Sequence, residues 1–580
     1  MLDLLLRGGT LVDGTGRPAR RADIGVRDGR VVTVTEPSDP EGSPSGETAA
    51  DVIDVTGLVV APGFVDPHTH YDAQLFWDPL ATPSNLHGVT TIIGGNCGFT
   101  LAPLAPGDGD YLRRMMAKVE GMPLVALEDG LPWTWESFGD YLGHLDGRIG
   151  LNAGFLVGHC ALRRKVMGAD AVGNEASPEQ LAAMVELLHD AIRAGGLGFS
   201  STQSQTHSDG DGQPVASRWA TRDELLALSG VVADHEGTTL EFIVSGCLDK
   251  MSDDEIDLLV DMSVAGQRPL NWNVLTVDSA VPDRHTRQLS AGTRAKEKGG
   301  RIVALTMPVL VGMTMSLGHY CALHMLPGWG DVMALPVPER IRRLRDPAVR
   351  DAMRAGAASD EAGILRRLTD WANYELGDTY APENEGLEGR RVGDVAAERG
   401  LDPFDVLVDV CIADELRTVL WPLPTDDDDE SWEIRAEVWR DDRAMLGGSD
   451  AGAHLDRMCG APYTTAFLGD CLRGRRLVPL EEAVRLLTDV PARLFGLRDR
   501  GRIEEGAHAD LVVFDPETVG ASRPRMVEDL PGGTPRLWSD AIGVPHVLVN
   551  GTPIVRDGVA TGALPGTVLR SGRDTETVLP

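Results

Sequence analysis

The chain has 580 residues, a formal charge of −34 and seven cysteines. The length is too great for one ordinary core, but one enlarged barrel with an accessory domain would fit. The 88 acidic against 54 basic residues argue against a nucleic-acid partner and against an anionic membrane surface. The thinly spread cysteines include no CxxC pair, so we expect neither a disulfide framework nor a zinc ribbon. No apolar run is long enough to span a membrane, and the start of the chain lacks a signal-peptide pattern, so we expect a cytoplasmic protein.

Short strands with glycine-rich turns are predicted at both ends of the chain. The candidates at the first end are 4–8, 10–14, 22–26, 30–34 and 51–55, and those at the other end are 501–506, 509–514, 546–551 and 553–558. Residues 37–49, which are polar and rich in Pro, Gly and Ser, are predicted to form a loop. We expect residues 1–60 and 500–580 to form one small composite β-sandwich domain.

The middle of the chain, residues 61–499, alternates short apolar strands with helical patterns, which predicts parallel βα units. The candidate strands are 58–64, 90–94, 151–157, 196–200, 238–244, 269–275, 301–307, 417–421 and 443–448. About eight strands fit a TIM (β/α)8 barrel, in the α/β class, with its chemistry at the carboxyl ends of the strands. A doubly wound sheet is the alternative. Residues 320–400 show helices and loops without a clear barrel strand and are predicted to be an insertion near the active-site mouth.

Two histidines follow the first of these strands. His68 and His70 come one residue apart, after a Pro-Gly break that ends an apolar run. Residues i and i+2 of a strand share a face, so both imidazoles can converge on one point. Such a pair at a strand end indicates a zinc or other transition-metal site. A pair of polar residues in a turn is the plain alternative.

Two further segments carry the side chains that a metal hydrolase needs. Cys97 lies in a glycine-rich turn after the strand at 90–94 and can reach a metal as thiolate, or it is a small buried thiol. Asp450 follows the last strand directly, where one carboxylate can touch a metal and also move a proton from water to a leaving nitrogen. An Asx-type turn is the other interpretation. His454, four residues on, either faces the same cavity or caps a helix.

These motifs resemble those of a known family. Residues 62–70 match the pattern P-G-[FL]-[IV]-D-x-H-x-H at every position and resemble the metal-binding signature of the amidohydrolase superfamily. Residues 88–98, read as G-V-T-T-x-x-x-G-N-C-G, resemble the N-acyl-D-amino-acid deacylase (D-aminoacylase-like) branch. The resemblance implies a TIM barrel with a β-sandwich from both termini, Cys97 as a metal ligand and Asp450 as the last-strand aspartate. It also implies hydrolysis of an N-acylated, D-configured amino acid with one or two zinc ions.

The chain departs from the deacylases on two middle strands, 238–244 and 269–275. There the deacylases carry metal-binding histidines, and this chain has none. Three explanations stay open. A single metal is held by His68, His70 and Asp450, with or without Cys97; or Glu241, Asn271 or Asn273 replaces a missing ligand; or no metal binds. Glu241 is the strongest replacement, because a carboxylate in an apolar strand needs a partner when it is buried.

Five side chains are candidates for binding the substrate. His159 and Arg163 lie in a segment that resembles the deacylase G-H-x-x-L-R motif, and Arg163 could pair with a carboxylate. His207, in the polar loop 202–218, would lie over the active site of a barrel, as would Arg218. His454 completes the set. A surface loop with ordinary charges is the alternative for Arg163, His207 and Arg218.

We therefore expect a metal-dependent amidohydrolase that acts on a small-molecule substrate, with one zinc ion favoured over two and other divalent metals open. Asp450 is the predicted general acid and base. Hydrolysis of a cyclic amide or imide is the second hypothesis. The third, of another class, is a non-catalytic binding protein on the same fold. The sequence leaves open whether the chain forms a homo-oligomer.

Overall fold

The computed structural model describes residues 1–36, 48–319 and 321–580. The predicted loop at 37–49 therefore falls mostly outside the described residues, as does residue 320 at the start of the predicted insertion. Contact clustering divides the chain into two compact units. The first contains Met1–Val309, Asp428–Asp456 and Gly460–Pro580, and the second contains Leu310–Asp427 and Arg457–Cys459.

The strands of the described residues, in chain order, are Leu2–Leu11 (β1), Arg20–Arg27 (β2), Arg30–Thr35 (β3), Ala49–Asp54 (β4), Val59–Pro62 (β5), Phe64–Asp66 (β6), Val89–Gly94 (β7), Asn152–Phe155 (β8), Val157–Gly158 (β9), Gly198–Thr202 (β10), Thr239–Ile243 (β11), Pro269–Trp272 (β12), Arg301–Thr306 (β13), Tyr374–Leu376 (β14), Leu420–Pro422 (β15), Ala444–Leu446 (β16), Leu511–Phe514 (β17), Gly520–Ala521 (β18), Arg525–Leu530 (β19), Thr534–Trp538 (β20), Ala541–Ile542 (β21), His546–Val549 (β22), Thr552–Arg556 (β23), Val559–Ala560 (β24) and Val568–Leu569 (β25).

The α-helices of the described residues are Gly109–Val119 (α1), Leu124–Gly130 (α2), Phe138–Leu145 (α3), His159–Met167 (α4), Pro178–Arg193 (α5), Arg222–Val231 (α6), Asp253–Gly266 (α7), Pro282–Glu297 (α8), Gly330–Met333 (α9), Val337–Leu344 (α10), Pro347–Ala358 (α11), Val392–Arg399 (α12), Pro403–Ala413 (α13), Asp429–Val438 (α14), Tyr463–Arg473 (α15), Leu480–Leu487 (α16) and Asp489–Leu494 (α17). None of the helices in the described part of the chain is both long enough and apolar enough to cross a membrane.

Local sequence signals explain where the helices between parallel strands begin. Ser177 caps α5 with a reciprocal hydrogen-bond pair to Gln180, and a proline occupies the first turn. Ser252 caps α7 in the same way with Glu255. Such capping boxes satisfy backbone N–H groups that have no partner inside the helix. The predicted helices at 178–194 and 254–265 therefore differ from the observed ones by a residue at most at each end.

Parallel strands form the centre of the first unit. β25, β8, β7 and β6 pair in that order, and β16, β13, β12, β11, β10 and β9 pair in a second order, all in parallel. An isolated parallel bridge between Thr69 and Ala451 joins the segments that follow β6 and β16. β7, β10, β11 and β12 are buried at every position. Burial of both faces is typical of parallel strands covered by helices, so the fold is a mixed α/β one.

Both chain ends contribute to a nine-stranded sheet in the same unit. Its order is β24-β23-β22-β17-β5-β1-β2-β3, with β4 paired to β1. β17 lies antiparallel to β5, so the strand that leads to the two histidines pairs with a strand near the other end of the chain. The buried core of the sheet combines side chains from both ends, such as Leu6, Ile24, Leu511 and Leu548. β25, near the C-terminus, does not belong to this sheet; it pairs with β8 in the parallel set.

The second unit has its own core. Trp329 and Phe404 are buried there, and Trp371 stacks on Trp329 with ring centroids 5.5 Å apart. Its main segment, Leu310–Asp427, is longer than the predicted insertion at 320–400. The extension beyond residue 400 includes β15, which pairs antiparallel with β14 inside the unit.

Four regions of the strand prediction were wrong. Residues 58–64 were expected to form one strand of the parallel set, but they divide between β5, which pairs antiparallel with β17, and β6, which pairs parallel with β7. Residues 417–421 were expected in the parallel set, but β15 there belongs to the second unit; a short apolar run does not indicate which strand will pair with it. Residues 4–14 form one strand with an irregular register near Gly9 instead of two strands. Residues 501–506 form turns, which Gly501 with its positive φ of 83° favours.

Candidate active site

His68 and His70 lie directly after β6, and their Nε2 atoms face a common point. Both side chains are buried, and the rings meet edge to face with centroids 5.3 Å apart. The N–H of His70 donates to the carbonyl of Ala451 at 2.8 Å, and the carbonyl of His68 accepts from the N–H of Asp450 at 3.2 Å. The segment after β16 therefore holds the two histidines in place.

Cys97 reaches the same point from a 3-10 turn that follows β7. Its Sγ lies 3.4 Å from Nε2 of His68 and 3.8 Å from Nε2 of His70. The donor atoms of the three residues all lie within 4.8 Å of one another. Cys97 has a left-handed backbone with φ 58°, and the amide of Asn96 donates to the carbonyl of Thr69 at 3.2 Å. Unfavourable backbone conformations of this kind persist where the surroundings enforce them, and they concentrate at functional sites.

Asp450 adds a carboxylate from the loop after β16. Its Oδ1 lies 3.2 Å from Nε2 of His68 and 3.5 Å from Nε2 of His70. Its backbone is also left-handed, with φ 54°. The Asp450 side chain is 25% exposed, whereas those of His68 and His70 are 0% and 1% exposed. Asp450 is therefore the member of the cluster that an incoming molecule would meet.

The charges in this cluster depend on one another. Burial would raise the pKa of Asp450, but hydrogen bonds from His68 and His70 hold it well below its usual value. Burial would lower the pKa of His70, but the charges of Glu120 and Asp450 raise it to about 9. Burial, together with the neighbouring carboxylates, raises the pKa of the Cys97 thiol well above its usual value. A divalent cation among these atoms would favour the thiolate and the neutral imidazoles, because metal ligands must give up their protons.

The spacing of the donor atoms fits one zinc-sized ion. Zinc bonds of 2.0–2.3 Å in a tetrahedron place neighbouring donors roughly 3.3–3.7 Å apart. The separations from the two imidazole nitrogens to the Cys97 thiol and to one Asp450 oxygen run from 3.2 to 3.8 Å. The donor atoms that all lie within 4.8 Å of one another are those of His68, His70 and Cys97. Imidazole, thiolate and carboxylate are all donors that zinc accepts.

The strands that lack the expected histidines present acceptor oxygens instead. Glu241, on β11, is fully buried, and its Oε2 accepts the N–H of Cys97 at 2.8 Å. Within the described part of the chain, its Oε1 has no hydrogen-bond partner, and neither have the Oδ1 atoms of Asn271 and Asn273. Burial raises the pKa of Glu241 to about 8. The structure therefore brings Glu241 against the cluster, behind Cys97.

Glu120 belongs to the site, although sequence reasoning did not identify it. Its Oε2 lies 3.6 Å from Nε2 of His70, and its side chain is 4% exposed. The carbonyl of Glu120 accepts the N–H of His454. Glu120 directly follows α1 in a stretch without a motif, so no sequence pattern distinguishes it from a surface acid at a helix end.

His159 and Arg163 do not face this cluster with free donors. His159 Nε2 contacts Oε1 of Glu224 at 2.8 Å, and its Nδ1 contacts the hydroxyl of Ser201 at 2.8 Å. Arg163 Nη1 donates to both carboxylate oxygens of Glu224, at 2.5 and 2.6 Å. All three side chains are buried. Arg163 therefore pairs with a carboxylate of the chain itself, and we no longer propose it or His159 as a direct substrate ligand.

His207 and His454 approach the cluster from two loops. The pKa of His207 is lowered to about 3 by burial and by the cations His454 and His70, against the opposing charge of Asp450. The ring of His207 packs edge to face on Phe99, with centroids 5.1 Å apart. His454 has a left-handed backbone, with φ 50°. The structure thus places both histidines beside the predicted site, where their binding of substrate stays a prediction.

Comparisons with known proteins identify the family of the chain. Residues 51–555 match the amidohydrolase family. D-aminoacylase of Alcaligenes xylosoxydans xylosoxydans is 31% identical over 98% of this chain and 97% of its own length. N-acyl-D-aspartate deacylase of the same organism is 30% identical over 98% of this chain and 95% of its own length. A solved structure of a D-aminoacylase, described by a binuclear metal centre with one-metal activation and second-metal attenuation, is 25% identical, with a TM-score of 0.62, and covers 98% of this chain and 100% of that one.

The family predicted from the motifs is thereby confirmed. The match spans the segment that carries His68, His70, Cys97 and Asp450. The chain belongs to the amidohydrolase family and, within it, to the D-aminoacylase-like branch of metal-binding hydrolases that act on carbon–nitrogen bonds other than peptide bonds.

Proposed function

We propose that the chain hydrolyses the amide bond of N-acyl-D-amino acids, or of similar N-acyl compounds, with one zinc ion held by His68, His70, Cys97 and Asp450. The observation that carries the proposal is the 3.2–3.8 Å spacing between the imidazole nitrogens and the other two donors. The names of two relatives, D-aminoacylase and N-acyl-D-aspartate deacylase, support the substrate class.

The fold that we propose for this activity is a (β/α)8 barrel with a terminal β-sandwich. β6, β7, β8 with β9, β10, β11, β12, β13 and β16 would be its eight strands, with residues 61–499 as the barrel and 1–60 plus 500–580 as the accessory domain. The parallel pairing order supports this arrangement, and the bridge between Thr69 and Ala451 supports closure between the last strand and the first. Each donor of the cluster follows a strand of this set, as barrel enzymes require.

Asp450 is the proposed general acid and base. A bound zinc ion supplies Lewis-acid polarisation and acidifies water. The Asp450 carboxylate accepts a proton from the attacking water as the new C–O bond forms. It then donates that proton to the amide nitrogen as the C–N bond breaks, which releases a carboxylic acid and the free amino acid. Its partial exposure supports this assignment, since the two histidines beside it are buried.

A single ion is proposed because the donors for a second one are not matched. The branch resemblance expects two more histidines, and Glu241, Asn271 and Asn273 occupy the corresponding strands. Glu241 already uses one oxygen on the N–H of Cys97. Glu241 as a metal ligand therefore remains the alternative within this proposal. One-metal activation, described for the solved D-aminoacylase, is compatible with it.

Hydrolysis by metal-depleted and zinc-restored protein tests the proposal. The panel contains N-acetyl-D-amino acids, their L enantiomers, and neutral cyclic amides and imides. We expect zinc-dependent release of acetate from the D compounds. Turnover of the cyclic compounds alone would replace the substrate class. Protein that carries no metal after growth in zinc, and hydrolyses nothing when zinc is added, would instead be a binding protein.

A further inference from the structure

Arg218 keeps one edge of its guanidinium free of protein partners. It lies in the 3-10 turn Ala216–Trp219, beyond β10. Its Nη1 donates to the carbonyls of Gln205 and His207 at 3.3 and 3.2 Å. Its Nε and Nη2 make no hydrogen bond within the described residues, and no carboxylate there forms an ion pair with it. Burial without a countering acid lowers the pKa of Arg218.

Buried arginines of the first unit, unlike the half-buried Arg218, have their charge or their donors satisfied. Arg163, Arg164 and Arg500 each pair with a carboxylate. Arg268 has no acid either, but its Nε, Nη1 and Nη2 all donate, to one hydroxyl and several carbonyls. Arg268 precedes β12, whereas Arg218 follows β10, at the strand end where the cluster lies. Arg218 therefore combines an uncompensated charge with two unused donor atoms.

The turn that carries Arg218 packs against the end of β10, on the side of the barrel strands where the proposed reaction centre lies. The Ser217 hydroxyl donates to the carbonyl of Thr202, the last residue of β10, at 2.9 Å. Arg218 also holds the carbonyl of His207 at 3.2 Å, and the ring of His207 packs on Phe99, two residues beyond Cys97, with centroids 5.1 Å apart. His207 thus connects the arginine with the turn that carries Cys97.

We propose that Nε and Nη2 of Arg218 bind the α-carboxylate of the N-acylated amino acid. This rests on the proposed function and deepens it, because it names the anionic amino-acid half as the recognised part of the substrate. Two parallel N–H···O bonds match a carboxylate in geometry and in charge. A neutral cyclic amide offers no such group, and it would leave the arginine without a counter-ion.

Steady-state kinetics on a matched pair of substrates tests this proposal. The pair is an N-acetyl-D-amino acid and its primary amide, which differ only in the charge at the α-carboxyl position. For Arg218→Gln we expect kcat/KM on the acid to fall about 10- to 100-fold, mainly through KM, the size of a lost charge-assisted hydrogen bond. Turnover of the amide should change little, and Arg218→Lys should restore part of the loss on the acid.

Arg114→Gln is the matched control. Arg114 also tethers this loop, since its Nη1 donates to Asp211 at 2.6 Å, but it is not part of the proposed subsite. We expect it to leave the ratio of acid to amide turnover unchanged. An equal loss on both substrates in Arg218→Gln, or no loss on either, overturns the carboxylate subsite.

Calorimetry with the zinc-loaded Asp450→Asn protein separates this inference from the proposed function. If the wild type hydrolyses neither compound, but the Asp450→Asn protein binds the acid over the amide and loses that preference on adding Arg218→Gln, then the function fails and the subsite stands. Equal binding of acid and amide overturns the subsite.

Discussion

The first unit contains two buried clusters of histidine and carboxylate, and they differ in how their polar atoms are used. In the first, which we call the closed cluster, His159 and Arg163 satisfy the carboxylate of Glu224, and both ring nitrogens of His159 have partners. In the second, the open cluster, two imidazole nitrogens face the same oxygen of Asp450, and no arginine or lysine of the described residues pairs with it. Residue types alone do not separate a ligand set from a structural ion pair; the convergence of acceptor atoms on one point does.

Removal of the Asp450 carboxylate tests the open cluster most severely. Asp450→Asn keeps the shape of the side chain but cannot accept a proton, so kcat should fall by about 10³-fold. The variant should still unfold cooperatively but at a lower melting temperature, because the interactions with His68 and His70 that lower the pKa of Asp450 also stabilise the fold. Turnover by the purified variant, beside its thermal unfolding, measures both. Wild-type rates would remove Asp450 from the mechanism.

Metal content should separate the two clusters directly. We expect about one zinc ion per chain in the wild type and almost none in the double variant His68→Ala/His70→Ala, because two of the four donors are gone. His159→Asn is the control, since it removes an equally buried histidine from the closed cluster. Elemental mass spectrometry of the three proteins gives the ratio. Metal loss in the control would mean that the closed cluster also supports the ion.

Substitution in the closed cluster should lower the free energy of unfolding and leave metal binding unchanged. Glu224→Gln leaves the buried guanidinium of Arg163 without its counter-charge, so the free energy of unfolding should fall by about 3 kcal/mol. Zinc content should not change. Denaturation of the metal-loaded proteins measures the difference. Asp190→Asn breaks an exposed pair with Arg193 and should change stability little; an equally small effect of Glu224→Gln would contradict the account of this cluster.

The sequence was sufficient for the residues that carry a local pattern. His68 and His70 come two positions apart after an apolar strand, and Cys97 and Asp450 follow strands in glycine-rich turns. In a parallel fold the carboxyl ends of the strands lie at one edge, so these positions could be expected to meet. The helix limits around α5 and α7 followed from their caps for the same local reason.

Partners contributed from distant segments could not be predicted. Arg163 and Glu224 lie 61 positions apart, and the pairing that satisfies Arg163 has no signature at either position. Glu120 approaches His70 from the end of a helix, where the sequence predicts an exposed acidic residue. The strand at 417–421 was assigned to the wrong unit because its apolar residues do not specify a parallel or an antiparallel partner.

Substitution of Glu241 has the smallest expected effect. Its carboxylate combines features of both clusters. One of its oxygens accepts the N–H of Cys97, and the other has no hydrogen-bond partner among the residues that the structure describes. In Glu241→Gln the amide oxygen can still accept that N–H, so the Cys97 turn should keep its shape while a nearby negative charge is lost.

We expect one zinc ion in both proteins and an affinity about tenfold weaker in the variant, at the low end for a group beside a metal ligand. Competition with a zinc chelator measures the affinity, and mass spectrometry the number of ions. Two ions in the wild type and one in the variant would make Glu241 a ligand, and the oxygens of β11 and β12 would then replace the missing histidines.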